Sequence, residues 1–157
     1  MTAVHKLTKR DLNQTVHVHP EQMQKDRERY IVDASGQTLG RLAVEIAKRL
    51  NGKHKPTHSQ FWDNGDYVVV TNADKISTTG YKLEAKKYFR YSGYKGNVKS
   101  RTLKEMYAEK PQDILMFAVR GMLPKNKLRA NKMKRLKLFV GADHPYANLT
   151  LTPLLDA

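Results

Sequence analysis

A chain of 157 residues, 39% hydrophobic and 28% charged, is sufficient for one domain with a modest core. Lysine and arginine number 29 against 15 acids, a net charge of +14 that favours a polyanionic partner. No apolar run approaches the roughly 18 residues of a membrane span, and without cysteine the chain has no disulfides, thiolate metal sites or cysteine nucleophiles.

Residues 1–29 hold six cations and four acids, lack the features of a secretory signal, and are expected to form an extension that is solvated or bound to a partner. Tyr30-Ile31-Val32-Asp33-Ala34 reads as a buried strand ending at a Ser35-Gly36 turn. Thr38 is expected to cap a helix with Leu39, Leu42, Ala43, Ile46, Ala47 and Leu50 on one buried face and Gly52 as its stop. Tyr67-Val68-Val69-Val70 is the next strand, and strand–helix–strand order calls for a right-handed crossover with parallel pairing.

The loop between helix and strand carries Lys53, His54 and Lys55, a basic cluster expected to touch phosphate. His54 and His58 have the spacing of zinc ligands, but Pro56 disfavours the helix that would aim both at one ion, so no metal site is expected. Asp63-Asn64-Gly65-Asp66 lacks the further ligands of a calcium loop and reads as a turn. Gly36 and Gly40 do not complete a dinucleotide pattern, and Asp33, Asn72 and Asp74 have no paired nucleophile or base, which leaves them turn and cap roles. No cofactor, small-molecule substrate or catalysis is expected.

Residues 81–137 hold 17 cations and four acids, so 13 of the 14 net charges fall there, the mark of a localised binding surface. Lys86 to Tyr91 reads as a strand at a sheet edge, half of its aromatics facing the core. Tyr91, Tyr94 and Lys95 are candidate RNA contacts, since rings can stack on bases while cations neutralise phosphates. Thr102 to Glu105 has the pattern of a capping box. Pro111 and Asp113 open a helix buried through Ile114, Leu115, Phe117, Ala118 and Val119 and ended by Gly121 and Pro124.

From Arg120 to Lys137 there are eight cations and no acid. Wound as a helix at about 100° per residue, residues 127–137 place Arg129 and Lys132 inside the arc of Leu128, Met133 and Leu136, with the other cations around it. No face is then solvent-like, and phosphates are expected to approach from several directions. Arg120, Lys125, Lys127, Arg129, Lys132, Lys134 and Arg135 are the candidate contacts. Leu136 to Val140 reads as a last short strand.

Several segments together resemble one family: Tyr30 to Ala43, Gly52 to Lys55, Asp63 to Tyr67, Asn72 to Lys75, Tyr91 to Tyr94, Ala118 to Asn126 and Leu136 to Gly141. In this order, over residues 30–146, they are similar to bacterial-type large-subunit ribosomal protein thirteen. The resemblance implies an α/β domain at 30–146, a three-layer α/β/α fold around a four-stranded parallel core sheet, with a basic C-terminal helix, an N-terminal extension at 1–29 and a tail at 147–157. It implies binding to large-subunit ribosomal RNA early in subunit assembly, among neighbouring large-subunit ribosomal proteins in the cytoplasm, without membrane or catalysis. By position it assigns RNA contacts to Arg120 and Lys125 and the family's basic loop to Lys53, His54 and Lys55. Where the family has Leu-Gly-Arg this chain has Leu128-Arg129-Ala130, so Arg129 is the neighbouring substitute. A nucleotide-dependent α/β enzyme and a DNA-binding module are the alternative readings.

Overall fold

The computed structural model describes residues 20–154. A short helix α1 (Pro20–Lys25) precedes strand β1 (Arg29–Asp33), helix α2 (Leu39–Asn51) and strand β2 (Tyr67–Thr71). β1 and β2 pair in parallel, with Tyr30 opposite Val68 and Val32 opposite Val70. These four side chains form one core with Leu42, Ile46 and Leu50 of α2 and Ile114, Leu115 and Val119 of α5 (Pro111–Met122). The predicted apolar face of α2 is the buried one. Gly52 ends the helix at φ 76, where its N–H donates to Arg49 O, a conformation costly for any residue with a Cβ.

Thr38 occupies the N-cap position, but its side chain makes no capping hydrogen bond. The backbone supplies the anchor instead, since Leu39 N donates to Ser77 O and Thr38 bridges Ser77 in parallel. Asp33 has the expected turn role: its Oδ1 accepts from Ser35 N, Ser35 Oγ and Asn72 Nδ2. The Asn72 hydrogen bond, followed by those from Ser35, holds this carboxyl below the usual aspartate value.

The cationic aromatic segment departs from expectation. β3 (Lys87–Tyr91) pairs antiparallel with β4 (Val98–Thr102) in a separate two-stranded hairpin and does not edge the main sheet. Gly93 and Gly96, both at positive φ, form the tight turn that folds β4 back onto β3 and gives this segment its own partner. Only Tyr88 of this stretch packs on the core, against Phe117, while Phe89, Tyr91 and Tyr94 are exposed. After a short α3 (Lys82–Ala85) and the hairpin, the predicted capping box opens α4 (Leu103–Glu109), with Thr102 and Glu105 bonding reciprocally. α5 begins at Pro111 as expected but carries Gly121 within its last turn, and Phe117 lies at its surface. The helix stops as Leu123 becomes extended before Pro124, as the proline ring demands of its predecessor.

The basic stretch is not one helix. α6 covers only Leu128–Lys134, and β5 (Leu136–Leu138) then pairs in parallel with β2. Sheet pairing and burial of Leu136 outweigh continuation of the helix. The chain beyond residue 147 supplies β6 (Thr152–Pro153), whose Thr152 and Pro153 pair with Tyr30 and Ile31 of β1. A proline is tolerated there because β6 is an edge strand. The result is an α/β fold on a four-stranded parallel sheet of order β5-β2-β1-β6.

Candidate nucleic-acid interface

The predicted cations divide into two sets by what they touch. In the loop after α2, Lys53 is exposed, whereas His54 and Lys55 turn inward onto the fully buried Asp66. Lys55 Nζ donates to Asp66 Oδ1 at 2.5 Å and to Asp26 O at 2.9 Å, and His54 Nε2 lies 2.7 Å from Asp66 Oδ2. Asp66 also accepts from Glu28 N, so it joins the loop to the approach of β1. The Asp63–Asp66 turn therefore spends its carboxylates on internal cations. Among the described residues no group of acids or histidines could hold a metal ion.

Burial drives the His54 imidazole below the usual histidine pKa, outweighing the Asp66 carboxylate, which acts in the opposite sense. The folded chain thus resists protonation more than the unfolded one. Stability from this group is present above the ordinary histidine range and is lost as pH falls through the depressed folded value. Melting temperature should fall between pH 7.5 and 5 (about the histidine window) more steeply for the natural chain than for His54→Gln. Parallel profiles would remove His54 from the account.

In the basic stretch, Arg120, Lys125, Lys127 and Lys134 are exposed and Arg129 is half-buried, but Lys132 and Arg135 are buried at 2% and 5% exposure. This corrects the expectation that phosphates reach every side of the segment. Lys132 Nζ donates to Asn51 Oδ1 at the end of α2, and burial pulls its pKa down from the ordinary lysine value. Arg135 forms a two-pronged pair with Asp63, one prong 2.6 Å long, and also donates to Leu50 O at 3.3 Å. These two charges tie α6 and β5 to α2 and the Asp63 turn, and neither side chain forms part of the exposed surface.

Lys48 and Lys53 share a groove of about 460 Å³ with Met122 and Pro124, which places the loop beside the start of the basic segment. Tyr91, Tyr94 and Lys95 stand apart on the hairpin, together with exposed Phe89 and Val98. Arg90, Tyr91, Asn97 and Lys99 line a polar hollow there. Phe61 and Trp62 form an exposed aromatic pair in the polar loop that charge and periodicity do not single out; the signal for it in the sequence is two adjacent bulky rings amid Ser, Gln and Asp.

The family model described as Ribosomal protein L13 matches residues 27–145. The chain belongs to the ribosomal protein L13 family. A large ribosomal subunit protein uL13 of Desulfotalea psychrophila is 55% identical over 122 residues, 78% of this chain and 86% of the relative. Another of that name, from Aquifex aeolicus, is 49% identical over 140 residues, 89% and 96% of the two chains. As an L13-family member the chain is a structural protein of bacterial ribosomal type and not an enzyme. The family match spans the loop, the hairpin and the whole basic stretch and stops before β6. No described helix is long and apolar enough to cross a membrane.

Proposed function

We propose that this L13-family chain is a structural constituent of the large ribosomal subunit in the cytoplasm, binding large-subunit ribosomal RNA and supporting early subunit assembly beside neighbouring ribosomal proteins. The observation that carries this reading is the sorting of cations. Those that the fold consumes are buried on acids and amides, whereas Arg120, Lys125, Lys127 and Lys134 are exposed and in no ion pair among the described residues. Unpaired surface cations destabilise the free protein by self-repulsion and are relieved by phosphates. Exposed Lys53 and half-buried Arg129 add to this set, and Tyr91, Tyr94 and Lys95 offer a second contact of aromatic type. Phosphate geometry and RNA shape, not base reading, set specificity in this arrangement.

The test is a salt titration with a bacterial large-subunit ribosomal RNA transcript. Four neutralised phosphates predict about a fiftyfold loss of affinity between roughly 50 and 200 mM salt, and Lys134→Gln should lower the logarithmic slope by about 0.7. Salt-independent binding overturns the electrostatic reading. A clear preference for duplex DNA in competition at fixed salt would favour a DNA-binding module instead.

A further inference from the structure

The N-terminal end of α2 and the C-terminal end of α5 enclose a groove of about 810 Å³, on residues outside the basic loop, the hairpin and most of the basic stretch. Its walls include Leu39, Leu103, Phe117 and Met122, and its charged members are Arg41, Lys82 and Lys86, with no acid. None of the three cations is in an ion pair among the described residues. An apolar floor under a cationic rim suits a ligand with a flat, weakly polar part and an anionic part. We propose that this groove holds one unstacked nucleotide of ribosomal RNA, its base against Phe117 and its flanking phosphates on Arg41, Lys82 and Lys86.

The proposal rests on the RNA-binding reading above and adds to it a defined site. Phe117 is 37% exposed on a helix whose other large apolar side chains are mostly packed, and its ring is backed by Tyr88 at 5.7 Å between centroids. Lys86 Nζ lies 5.4 Å from the centre of that Tyr88 ring, and Lys82 Nζ is held by Thr79 Oγ1 at 3.1 Å. The ring is thus a braced platform with cations at its border, the combination that binds single-stranded RNA. The volume falls within the range of small-ligand clefts. Beyond Lys82 and Lys86 a shallower groove continues beside the exposed Tyr81, which gives the strand a path onward.

Two glycines support the assignment. Gly40 and Gly121 line the groove from the two helices, neither at positive φ, and a Cβ added to either would meet nothing within 4 Å. Glycine weakens a helix relative to alanine, and the fold offers no steric reason for it at either place. Space kept open for a ligand backbone is a reason. A hydrophobic peptide would fill the same floor but leave three cations without counter-charge, so charge complementarity selects the nucleotide.

The experiment uses the full chain and a bacterial large-subunit ribosomal RNA transcript, with ultraviolet crosslinking mapped residue by residue. An adduct at Phe117 is expected in the natural chain. Gly121→Leu should fill the groove, melt at or above the natural temperature, lose the Phe117 adduct and bind about tenfold more weakly, the loss of one stacked base. Adducts from Lys125 to Lys134 should persist. Arg41→Gln, a change at an exposed rim residue, should weaken binding and reduce the salt dependence, and it decides the matter if Gly121→Leu does not fold. Natural affinity in both variants, with adducts in the basic stretch and none at Phe117, overturns the groove while leaving the general reading intact. Failure of the natural chain to bind the transcript overturns both. A peptide of a neighbouring protein crosslinked to Phe117 in purified large subunits overturns the choice of occupant.

Discussion

Replacing Arg135 by methionine is expected to destabilise the fold by about 3 kcal/mol, the lower end of the range for breaking one partner out of a buried ion pair. The side chains of Arg135 and Asp63 are 6% and 14% exposed, so the loss leaves a carboxylate in a poorly hydrated place. Arg27, 3.9 Å from the same carboxylate, offsets part of the deficit, which is why the low end applies. Leu50 O and Asp66 O lose their guanidinium donors at the same time. Lys134→Gln, one residue away but exposed, should change stability by no more than about 0.5 kcal/mol. Denaturant unfolding of both variants checks the contrast. An Arg135→Met protein as stable as the natural chain would mean that this buried pair does not hold the fold together.

That contrast marks the limit of what the basic stretch discloses before folding. A count of charge locates the region correctly, because the surplus is concentrated between residues 81 and 137. It does not say which cations are consumed internally, since the partner of Arg135 lies 72 residues away and that of Lys132 lies 81 residues away. The elements that were legible are those whose signal is local. The face of α2, the Thr102–Glu105 box and Pro111 at a helix start follow from periodicity or capping within a few residues, and the parallel β1–β2 pairing follows from the order of strand, helix and strand. β6 was not legible: two residues, one of them proline, carry no alternation and become a strand only because β1 offers an open edge. The groove between α2 and α5 was hidden for a related reason. Gly40 and Gly121 stand 81 positions apart and share a cavity only after the helices pack. Taken singly, Gly40 belongs to an incomplete nucleotide motif and Gly121 to a helix end.

Gly65→Ala is expected to cost at least about 3 kcal/mol, at or beyond the top of the usual range for overpacking. A Cβ there would lie 1.8 Å from Leu50 O and 2.9 Å from Arg135 Nη2, and the first of these is backbone at the end of α2 that cannot rotate away. The turn is held from the other side as well: a Cβ on Gly52 would come within 2.7 Å of Asn64 O, and Asp66 N donates to Arg49 O at 3.2 Å. Two backbones therefore touch without side chains between them, and that contact sets Asp63 where Arg135 reaches it and Asp66 where His54 and Lys55 reach it. The physical consequence is coupling. Once Gly65→Ala has lifted the turn from α2, the Asp63–Arg135 pair is already broken, so adding Arg135→Met should cost much less than it does in the natural chain. Unfolding energies for the two single variants and the double variant measure this directly. Additive costs would mean that the glycine contact and the ion pair stabilise the fold independently, and the turn would then lose its role as the joint between the basic stretch and α2.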